Sequence, residues 1–524
     1  MTARGIELAT ERIKGDAPFH GRYLALVGEI ERRFPVAHWK RGDADVWPLA
    51  RMGLYLDMYW DNVGGARLPS RSLPLRAMER VAIPFTNLWK SRQDLAHWVA
   101  RPKPAHAILL GDGVSLDRTE EGWQDRYGEP LIAALEKRGL QTFLMQGGNL
   151  STLPWLRPTF AANVIAAWGS LAAFATSKPA ELPNHEEVLQ FLSLNGQRAP
   201  SLERSRLSRR ANAVLATASA FERVLRIVKP TLAFVVTYYA DLGPAFVLAC
   251  RRQGILSIDL QHCPQDGAHK AYGWAALPDR GYSTLPAVFW NWTEKDAAYI
   301  SRWTSTLTAP WHRSVHGGHT QLVAFLDDND PGTKRWDTKF KALASGTYER
   351  EILVVLQPVG GFRAQWDALT AQVEAAPRSW RWWIRRHPSS RAYQDAEYRR
   401  LVSLRMPNVM VDESLSVPLP VLLRHMSAVV SRFSGASAEA AAFGVPALFL
   451  SEEARGQFSE LIDCGLASVI DVQTLNAEIA RVLPAPNRSA PGRQPDLHQT
   501  LLQLEDIARD YSQLCRAGRC SVGQ

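Results

Sequence analysis

Cysteine is scarce in this chain, with five among 524 residues. Their number is odd, they are scattered, and no pair has the spacing CxxC, so neither a disulfide framework nor a zinc site is predicted. Long apolar runs are also missing: TLAFVVTYYADLGPAFVLAC is interrupted by Asp241, and NVIAAWGSLAAFATS is too short to span a bilayer. The first residues, MTARGIELATERIKGD, carry no apolar signal-peptide run. We therefore expect a cytoplasmic protein.

The charge balance is basic, with 61 Lys and Arg against 52 Asp and Glu, a net charge of +9. Such a balance indicates an anionic partner, such as a nucleotide, a phosphate, an acidic glycan or the inner face of the cytoplasmic membrane. The basic residues are dispersed among acidic ones and no lysine-rich arm is present, so we expect no nucleic-acid partner. The simpler alternative is that the charge only keeps a large protein soluble.

Short β-rich runs alternate with helical stretches between residues 345 and 480. EILVVLQPVGG, WRWWIRRHP, NVMVDES, SAVVSRFSG and VPALFLS are typical of strands, and AQWDALTAQVEAA, VPLPVLLRHM and ASAEAAAFG are typical of helices. This alternation predicts a parallel sheet covered by helices on both faces. The region is therefore expected to form a Rossmann-like domain.

A second alternation lies upstream, in PAHAILLGDG, YGEPLIAALEKRG, LQTFLMQ, TLAFVVTYY, GPAFVLACRRQG and ILSIDLQHC. It predicts another Rossmann-like domain over residues 1–330, with mostly helical insertions at 150–225. AFLDDNDPGTKRWD is expected to be a polar linker, and a helix over 490–515 is expected to pack back on the body. The predicted fold class is α/β, with two Rossmann-like lobes facing a central cleft.

Ligands of parallel sheets bind where the strands end, and the strand ends of the second lobe are suited to an anion. In RWWIRRHPSSR, Pro388 ends the strand, so a histidine, an arginine and serine hydroxyls can converge on a phosphate. In SRFSGASAEAAAFGVP, small residues open a helix whose first N–H groups face the cleft. The alternative is that these small residues only cap the helix. The candidate donor-binding residues are Gln357, Gly360, Gly361, Arg386, His387, Ser389, Arg432, Ser434, Gly435, Ser437 and Glu439.

The two loops together resemble the nucleotide-sugar site of GT-B-fold glycosyltransferases. The similarity is closest to bacterial surface-polysaccharide enzymes, including CMP-sugar-dependent sialyl- and Kdo-transferases and CDP-glycerol-dependent glycerophosphotransferases. It covers residues 350 to 475 well and the rest only by architecture. The resemblance implies that His387, Ser434 and Ser437 contact the donor phosphate. EAAAFGVP is common to many GT-B enzymes and therefore indicates the fold more than the donor.

The first lobe is then expected to supply the acceptor site and a base for the attacking hydroxyl. The resemblance suggests Asp112 in GDG, although the first acid of the family's acidic tripeptide is missing, and His262 in QHC, although Cys263 replaces the family's glycine. We rank His262 slightly higher, because histidine titrates near neutral pH. The alternatives are a core histidine and a turn-forming aspartate. The candidate acceptor-binding residues are Tyr238, Tyr239, Asp241, Gln261 and Asp266.

The predicted reaction does not require a metal ion. DAD at residues 43–45 has the DxD form of many metal-dependent sugar transferases, but three residues recur by chance in a long chain. We expect no cofactor beyond the nucleotide-sugar co-substrate, because arginines and His387 can stabilise a departing phosphate themselves.

The predicted function is transfer of a sugar from a nucleotide donor, preferably CMP-linked, to a hydroxyl of a bacterial surface glycan such as capsule or lipopolysaccharide. One alternative is a UDP-sugar-dependent GT-B transferase or a non-hydrolysing epimerase. Another is a non-catalytic scaffold that binds glycan or nucleotide. A transferase of this kind is expected in the cytoplasm, with peripheral contact at the inner membrane face as an open alternative.

Overall fold

The computed structural model describes residues 19–62, 101–119, 121–147, 155–174, 178–240, 242–263, 265, 269–357, 363–386, 403, 406–411, 414, 416–482 and 494–520. The strands are short and mostly apolar. Within the described residues they are, in chain order, β1 (Lys40–Arg41), β2 (Ala44–Asp45), β3 (Ala107–Gly111), β4 (Leu116–Arg118), β5 (Trp123–Asp125), β6 (Thr142–Gln146), β7 (Thr159–Ala161), β8 (Leu232–Val236), β9 (Leu256–Leu260), β10 (Val288–Asn291), β11 (Arg313–His316), β12 (Arg350–Val355), β13 (Trp380–Arg385), β14 (Val409–Met410), β15 (Ala428–Ser431), β16 (Ala447–Phe449) and β17 (Ala467–Val469).

Helices fill the connections between these strands. Within the described residues the α-helices are α1 (Phe19–Arg33), α2 (Trp47–Asn62), α3 (Gly128–Lys137), α4 (Asn163–Phe174), α5 (His185–Leu194), α6 (Arg204–Val228), α7 (Gly243–Gln253), α8 (Glu294–Thr304), α9 (Thr320–Leu326), α10 (Pro331–Leu343), α11 (Arg363–Ala375), α12 (Leu419–His425), α13 (Ala436–Ala442), α14 (Ala454–Gln457), α15 (Ser459–Asp463), α16 (Leu475–Arg481) and α17 (Leu497–Cys520). None of those helices has both the length and the apolarity to cross a membrane.

Two parallel sheets organise the chain into two lobes. The amino-terminal sheet has the order β11-β10-β9-β8-β3-β6-β7, and the carboxy-terminal sheet has the order β14-β13-β12-β15-β16-β17. All the strand pairs within these two sheets are parallel. The predicted α/β fold with two Rossmann-like lobes is confirmed.

Both sheets are buried on both faces, as parallel sheets require. In β3, Ile108 and Leu110 pack into one apolar cluster, and Leu109 packs into another on the opposite face. The central strand of the second lobe, β12, alternates in the same way between two further clusters. The carboxy-terminal helix α17 returns to the first lobe, where Leu501 and Leu504 join one of its clusters.

The structure differs from the sequence-based expectation in two places. The stretch expected to be a polar linker contains the end of α9 and the start of α10. Asp330 caps α10 by accepting a hydrogen bond from the N–H of Thr333 at 2.8 Å, and Pro331 occupies the first turn, where its missing N–H carries no penalty. The prediction also missed the short strands β7, β10 and β11 of the first lobe.

Candidate functional site

A turn of small residues joins β15 to α13. The N–H of Ser434 donates to Ser431 Oγ at 3.2 Å, and the hydroxyl oxygens of Ser431 and Ser437 are also 3.2 Å apart. Ser434 Oγ accepts a hydrogen bond from the N–H of Ala436 at 3.3 Å, but the N-cap position of α13 is Gly435, so this bond stabilises the turn and is not a side-chain cap. Ser437 is completely buried, so it holds the turn from inside, whereas Ser434 and Gly435 are partly exposed.

Two further predicted donor residues support or flank this turn. Gln357 Oε1 accepts a hydrogen bond from the N–H of Phe433 at 2.9 Å, which fixes the turn to the end of β12. Arg432 is 3% exposed, its guanidinium lies 5.1 Å from the ring centre of Phe433, and one of its nitrogens is 4.0 Å from a carboxylate oxygen of Glu453. Burial lowers the pKa of Arg432 below its ordinary value. Arg386 directly follows β13.

Glu439 lies in the first turn of α13 and faces the other lobe. It is 5% exposed, and burial raises its pKa to about 7. The Arg126 guanidinium opposes that rise, Asp117 adds to it and Arg385 opposes it. Arg126 belongs to the first lobe, where its Nη2 bonds to Asp117 Oδ1 at 2.9 Å. A carboxyl group of the second lobe therefore lies beside an ion pair of the first.

His262 follows β9 at the strand ends of the first lobe. Its Nε2 shares a hydrogen bond of 3.0 Å with the Tyr239 hydroxyl. Burial lowers the pKa of His262 to about 4, Asp112 opposes this shift and Lys270 adds to it. The imidazole is therefore neutral at physiological pH and lies close to a carboxylate.

Tyr127 connects these two parts of the molecule. Its hydroxyl donates a hydrogen bond to the backbone oxygen of His262 at 3.3 Å. Burial raises the pKa of Tyr127 well above its usual value, and Glu439 of the other lobe is the next largest influence. The strand ends of both lobes thus meet around Tyr127.

Asp112 is heavily engaged by its own loop. Its carboxylate accepts hydrogen bonds from the N–H of Val114 at 2.8 Å, from the N–H and hydroxyl of Ser115 at 2.7 and 2.9 Å, and from the Thr237 hydroxyl at 3.3 Å. Few lone pairs are left for a substrate hydroxyl, which agrees with the turn-forming alternative. Of the two predicted bases, His262 makes the fewer hydrogen bonds: its Nε2 meets the Tyr239 hydroxyl, and its buried Nδ1 has no hydrogen-bond partner among the described residues.

A cavity of about 390 Å³ opens at the ends of β3 and β8, within the range of small-molecule sites. Asp112 and Thr237 line it, together with the start of α7. Thr237 has φ of +61°, a left-handed conformation that is strained for a β-branched residue. Such strain tends to occur at functional sites.

Two predicted acceptor residues, Tyr238 and Gln261, have buried side chains, and their role in acceptor binding stays a prediction. The Tyr238 hydroxyl donates to the backbone oxygen of Ala271 at 2.5 Å, and Tyr238 is 3% exposed. Gln261 is also buried, bonding Asp296 Oδ2 at 2.9 Å and the N–H of Trp292 at 2.6 Å. Both side chains make internal hydrogen bonds within the strand ends and loops around His262. Tyr239 remains at the site through its bond to His262.

Six further predicted site residues lie outside the described residues, and their roles stay predictions. They are Asp241, Asp266, Gly360, Gly361, His387 and Ser389.

Several residues of the site were missed by the sequence analysis. Arg126 and Tyr127 lie between β5 and α3, and no local pattern marks them. Cys263, His269 and Lys270 surround His262, with Cys263 Sγ 3.6 Å from His262 Nε2 and 3.5 Å from His269 Nε2. The density of titratable residues in HCPQDGAHK was the signal that could have indicated the last three.

The DAD pattern has structural partners. Asp43 pairs with Arg252 at 2.6 Å, and Asp45 accepts a hydrogen bond from the N–H of Ser283 at 2.6 Å. Within the parts of the chain that are described, no cluster of three or more His, Cys, Asp or Glu residues could hold a metal ion.

No family model and no curated protein sequence matches this chain. Among solved structures, UDP-GlcNAc 2-epimerase from Neisseria meningitidis bound to UDP-GlcNAc is similar, at 16% identity and a TM-score of 0.45, over 76% of this chain and 98% of that one. The glycosyltransferase SnogD from Streptomyces nogalater is similar at 14% identity and a TM-score of 0.39, over 80% and 99% of the two chains. At this level of similarity we infer nothing about activity from these proteins.

Proposed function

We propose that the protein is a glycosyltransferase that moves a sugar from a nucleotide donor to a hydroxyl group of a bacterial surface glycan. The observation that carries the proposal is the meeting of the two lobes at Tyr127, with His262 on one side and Glu439 on the other. In this proposal His262 and the turn of Ser434 and Gly435 face one cleft between the lobes.

In this proposal the donor binds to the second lobe. The partly exposed Ser434 and Gly435 allow close approach of a phosphate, and Arg432 and Arg386 stabilise the negative charge of the departing nucleotide. Glu439 accepts hydrogen bonds from the ribose hydroxyls. His387, which lies outside the described residues, is assigned to the same phosphate by its resemblance to the HP motif.

The acceptor binds to the first lobe, and His262 removes the proton of its attacking hydroxyl. Burial keeps the imidazole neutral at physiological pH but also weakens it as a base, so the proton transfer depends on the Asp112 carboxylate, which opposes the fall in the pKa of His262. The nearby Asp112 carboxylate stabilises the imidazolium ion that forms, and the Tyr239 hydroxyl orients the ring.

The donor nucleotide decides between this reaction and its rivals. The resemblance of the two loops favours a CMP-sugar, whereas a UDP-sugar transferase or an epimerase would prefer UDP. Melting temperatures measured with CMP, CDP, UDP and GDP separate these cases, because a ligand that binds the native state stabilises it. Protection by CMP or CDP supports our preference, protection by UDP supports the rival, and no protection by any of them contradicts a nucleotide-dependent enzyme.

Release of free nucleotide from CMP-sugars in the presence of glycan acceptors then tests transfer. Replacing both His262 and Asp112 without loss of cellular glycan would favour a non-catalytic scaffold. The proposed reaction is cytoplasmic, with contact at the inner face of the membrane as an open alternative.

A further inference from the structure

Lys270 has an unusual environment beside His262. Its ammonium nitrogen lies 5.0 Å from the ring centre of Tyr55 in α2 and 5.3 Å from that of Tyr239. Two aromatic faces from separate parts of the fold therefore hold one cation, and the polar edge of one of them, the Tyr239 hydroxyl, bonds to His262.

The described residues bring no carboxylate within ion-pair distance of this ammonium. Burial lowers the pKa of Lys270, and among the described residues Cys263 opposes that shift. The neighbouring imidazoles add no negative charge: burial lowers the pKa of His20 and His262 to about 4 and that of His269 well below its usual value, and Lys270 contributes to all three shifts.

An ammonium has three N–H donors, and an aromatic face satisfies its charge only in part. Holding such a cation in a partly buried site without an anion is unfavourable. The second lobe already has its own cations, Arg432 and Arg386, close to the predicted donor turn. The cation of the first lobe is therefore available to a different anion.

We infer that Lys270 binds an anionic group, a phosphate or a carboxylate, of the acceptor whose hydroxyl His262 deprotonates. The inference rests on the proposed function and narrows its acceptor to acidic or phosphorylated glycans. Lys270 and His262 lie against the same tyrosine, with the ammonium 5.3 Å from the ring centre of Tyr239 and His262 Nε2 3.0 Å from its hydroxyl, so an anion on Lys270 lies near the imidazole.

The test compares the native protein with Lys270→Met and Lys270→Arg in thermal melts with inorganic phosphate, glucuronate and glucose. Each melt is run with a saturating nucleotide, so that the donor site is occupied. We expect phosphate or glucuronate to raise the melting temperature of the native protein and of Lys270→Arg, with the shift lost in Lys270→Met. Glucose should not distinguish the three proteins. A response to phosphate alone indicates a phosphorylated acceptor, and one to glucuronate alone indicates a sugar acid.

Arg432→Met is the matched control in the other lobe, and it should lose the response to nucleotide but keep the response to the acceptor anion. Lys270→Met should melt no lower than the native protein without ligand, because it removes an uncompensated charge. Equal anion responses in the native protein and Lys270→Met, or no response in either, would overturn the inference. So would loss of the nucleotide response in Lys270→Met, which would assign Lys270 to the donor phosphate.

The experiment can contradict the proposed function without contradicting the anion site. If no nucleotide stabilises the protein, the anion melts are run without one, and a response that depends on Lys270 still supports the anion site.

Discussion

Each lobe is built on its own parallel sheet, and the two lobes differ in the residues in and near the ends of their strands. In the first lobe the residues in and after the strands include several buried titratable groups, and burial moves the pKa of Asp125 to about 7, that of Asp259 to about 8 and that of His262 to about 4. In the second lobe hydroxyls and backbone N–H groups, as in Ser431 and Ser434, lie near the charged side chains Arg385, Arg432 and Glu439. The first lobe therefore concentrates groups that hold or release protons, and the second adds hydroxyls, N–H groups and arginines that are suited to an anion.

Among the tests that compare the two lobes, replacing His262 by Ala should have the largest effect, and it acts on turnover. If it is the base of the first lobe, turnover should fall about 10³-fold, the usual scale for losing a general base. Nucleotide release and the melting temperature are measured together. His498→Ala, at an exposed position, is the control and should leave turnover unchanged. Turnover retained by His262→Ala would remove His262 from the mechanism.

Breaking the buried ion pair of the first lobe should have the next largest effect. Arg51 and Glu31 are 3.1 Å apart with side chains only 2% and 1% exposed, so Glu31→Gln leaves an uncompensated charge. We expect the free energy of unfolding to fall by about 3 to 5 kcal/mol in urea denaturation.

The matched pair in the second lobe is Arg381 with Glu351, whose side chain is 18% exposed. Glu351→Gln should cost less, because water can replace part of the lost interaction. Equal losses of unfolding free energy in Glu31→Gln and Glu351→Gln would show that the two ion pairs contribute equally despite their different exposure.

The pH dependence of nucleotide binding should show whether the Glu439 carboxylate contacts the nucleotide. With a pKa of about 7, its carboxylate becomes ionised between pH 6 and 8. If the ionised form accepts hydrogen bonds from ribose, affinity should rise about tenfold over that range, since the ionised fraction rises by that factor. Calorimetric titration checks this, and Glu439→Gln should remove the dependence. Affinity that falls as pH rises would mean that the protonated acid binds instead.

The raised pKa of Glu439 has the opposite effect on stability, because it makes the free energy of unfolding fall as pH rises. Because the native state keeps the Glu439 proton to a higher pH than the unfolded chain does, its contribution is complete below the unfolded pKa and is lost as pH rises through about 7.

The smallest expected effect separates a hydrogen bond within the turn from ligand binding at Ser434. If its hydroxyl only accepts the N–H of Ala436, Ser434→Ala and Ser434→Gly should both lower the free energy of unfolding, the first by about 1 kcal/mol, and leave nucleotide affinity unchanged. If it contacts the donor, both variants should lose nucleotide affinity equally. Urea denaturation and calorimetric titration distinguish the two roles.

Much of the second lobe could be predicted because its elements are local. The strand WRWWIR and the helix closed by Gly444, with φ of +66°, follow from apolar runs and a left-handed terminator. The strand β11, RSVH, was missed because it contains one apolar residue, and β10 was overlooked although its run VFW is as apolar as that of β15. Tyr238 and Gln261 were assigned to the acceptor because strand-end position alone does not say whether a side chain turns inward.

The amino-acid sequence by itself determined the two α/β lobes, the small-residue turn after β15 and the position of His262 at a strand end. These features depend on periodicity and on neighbours along the chain. Only the tertiary structure decided that Glu439 faces Arg126, that Tyr127 lies between the lobes, and that Lys270 is held by Tyr55 and Tyr239. Their partners are far apart in the sequence, and burial, which shifts their pKa values, is a property of the packed chain.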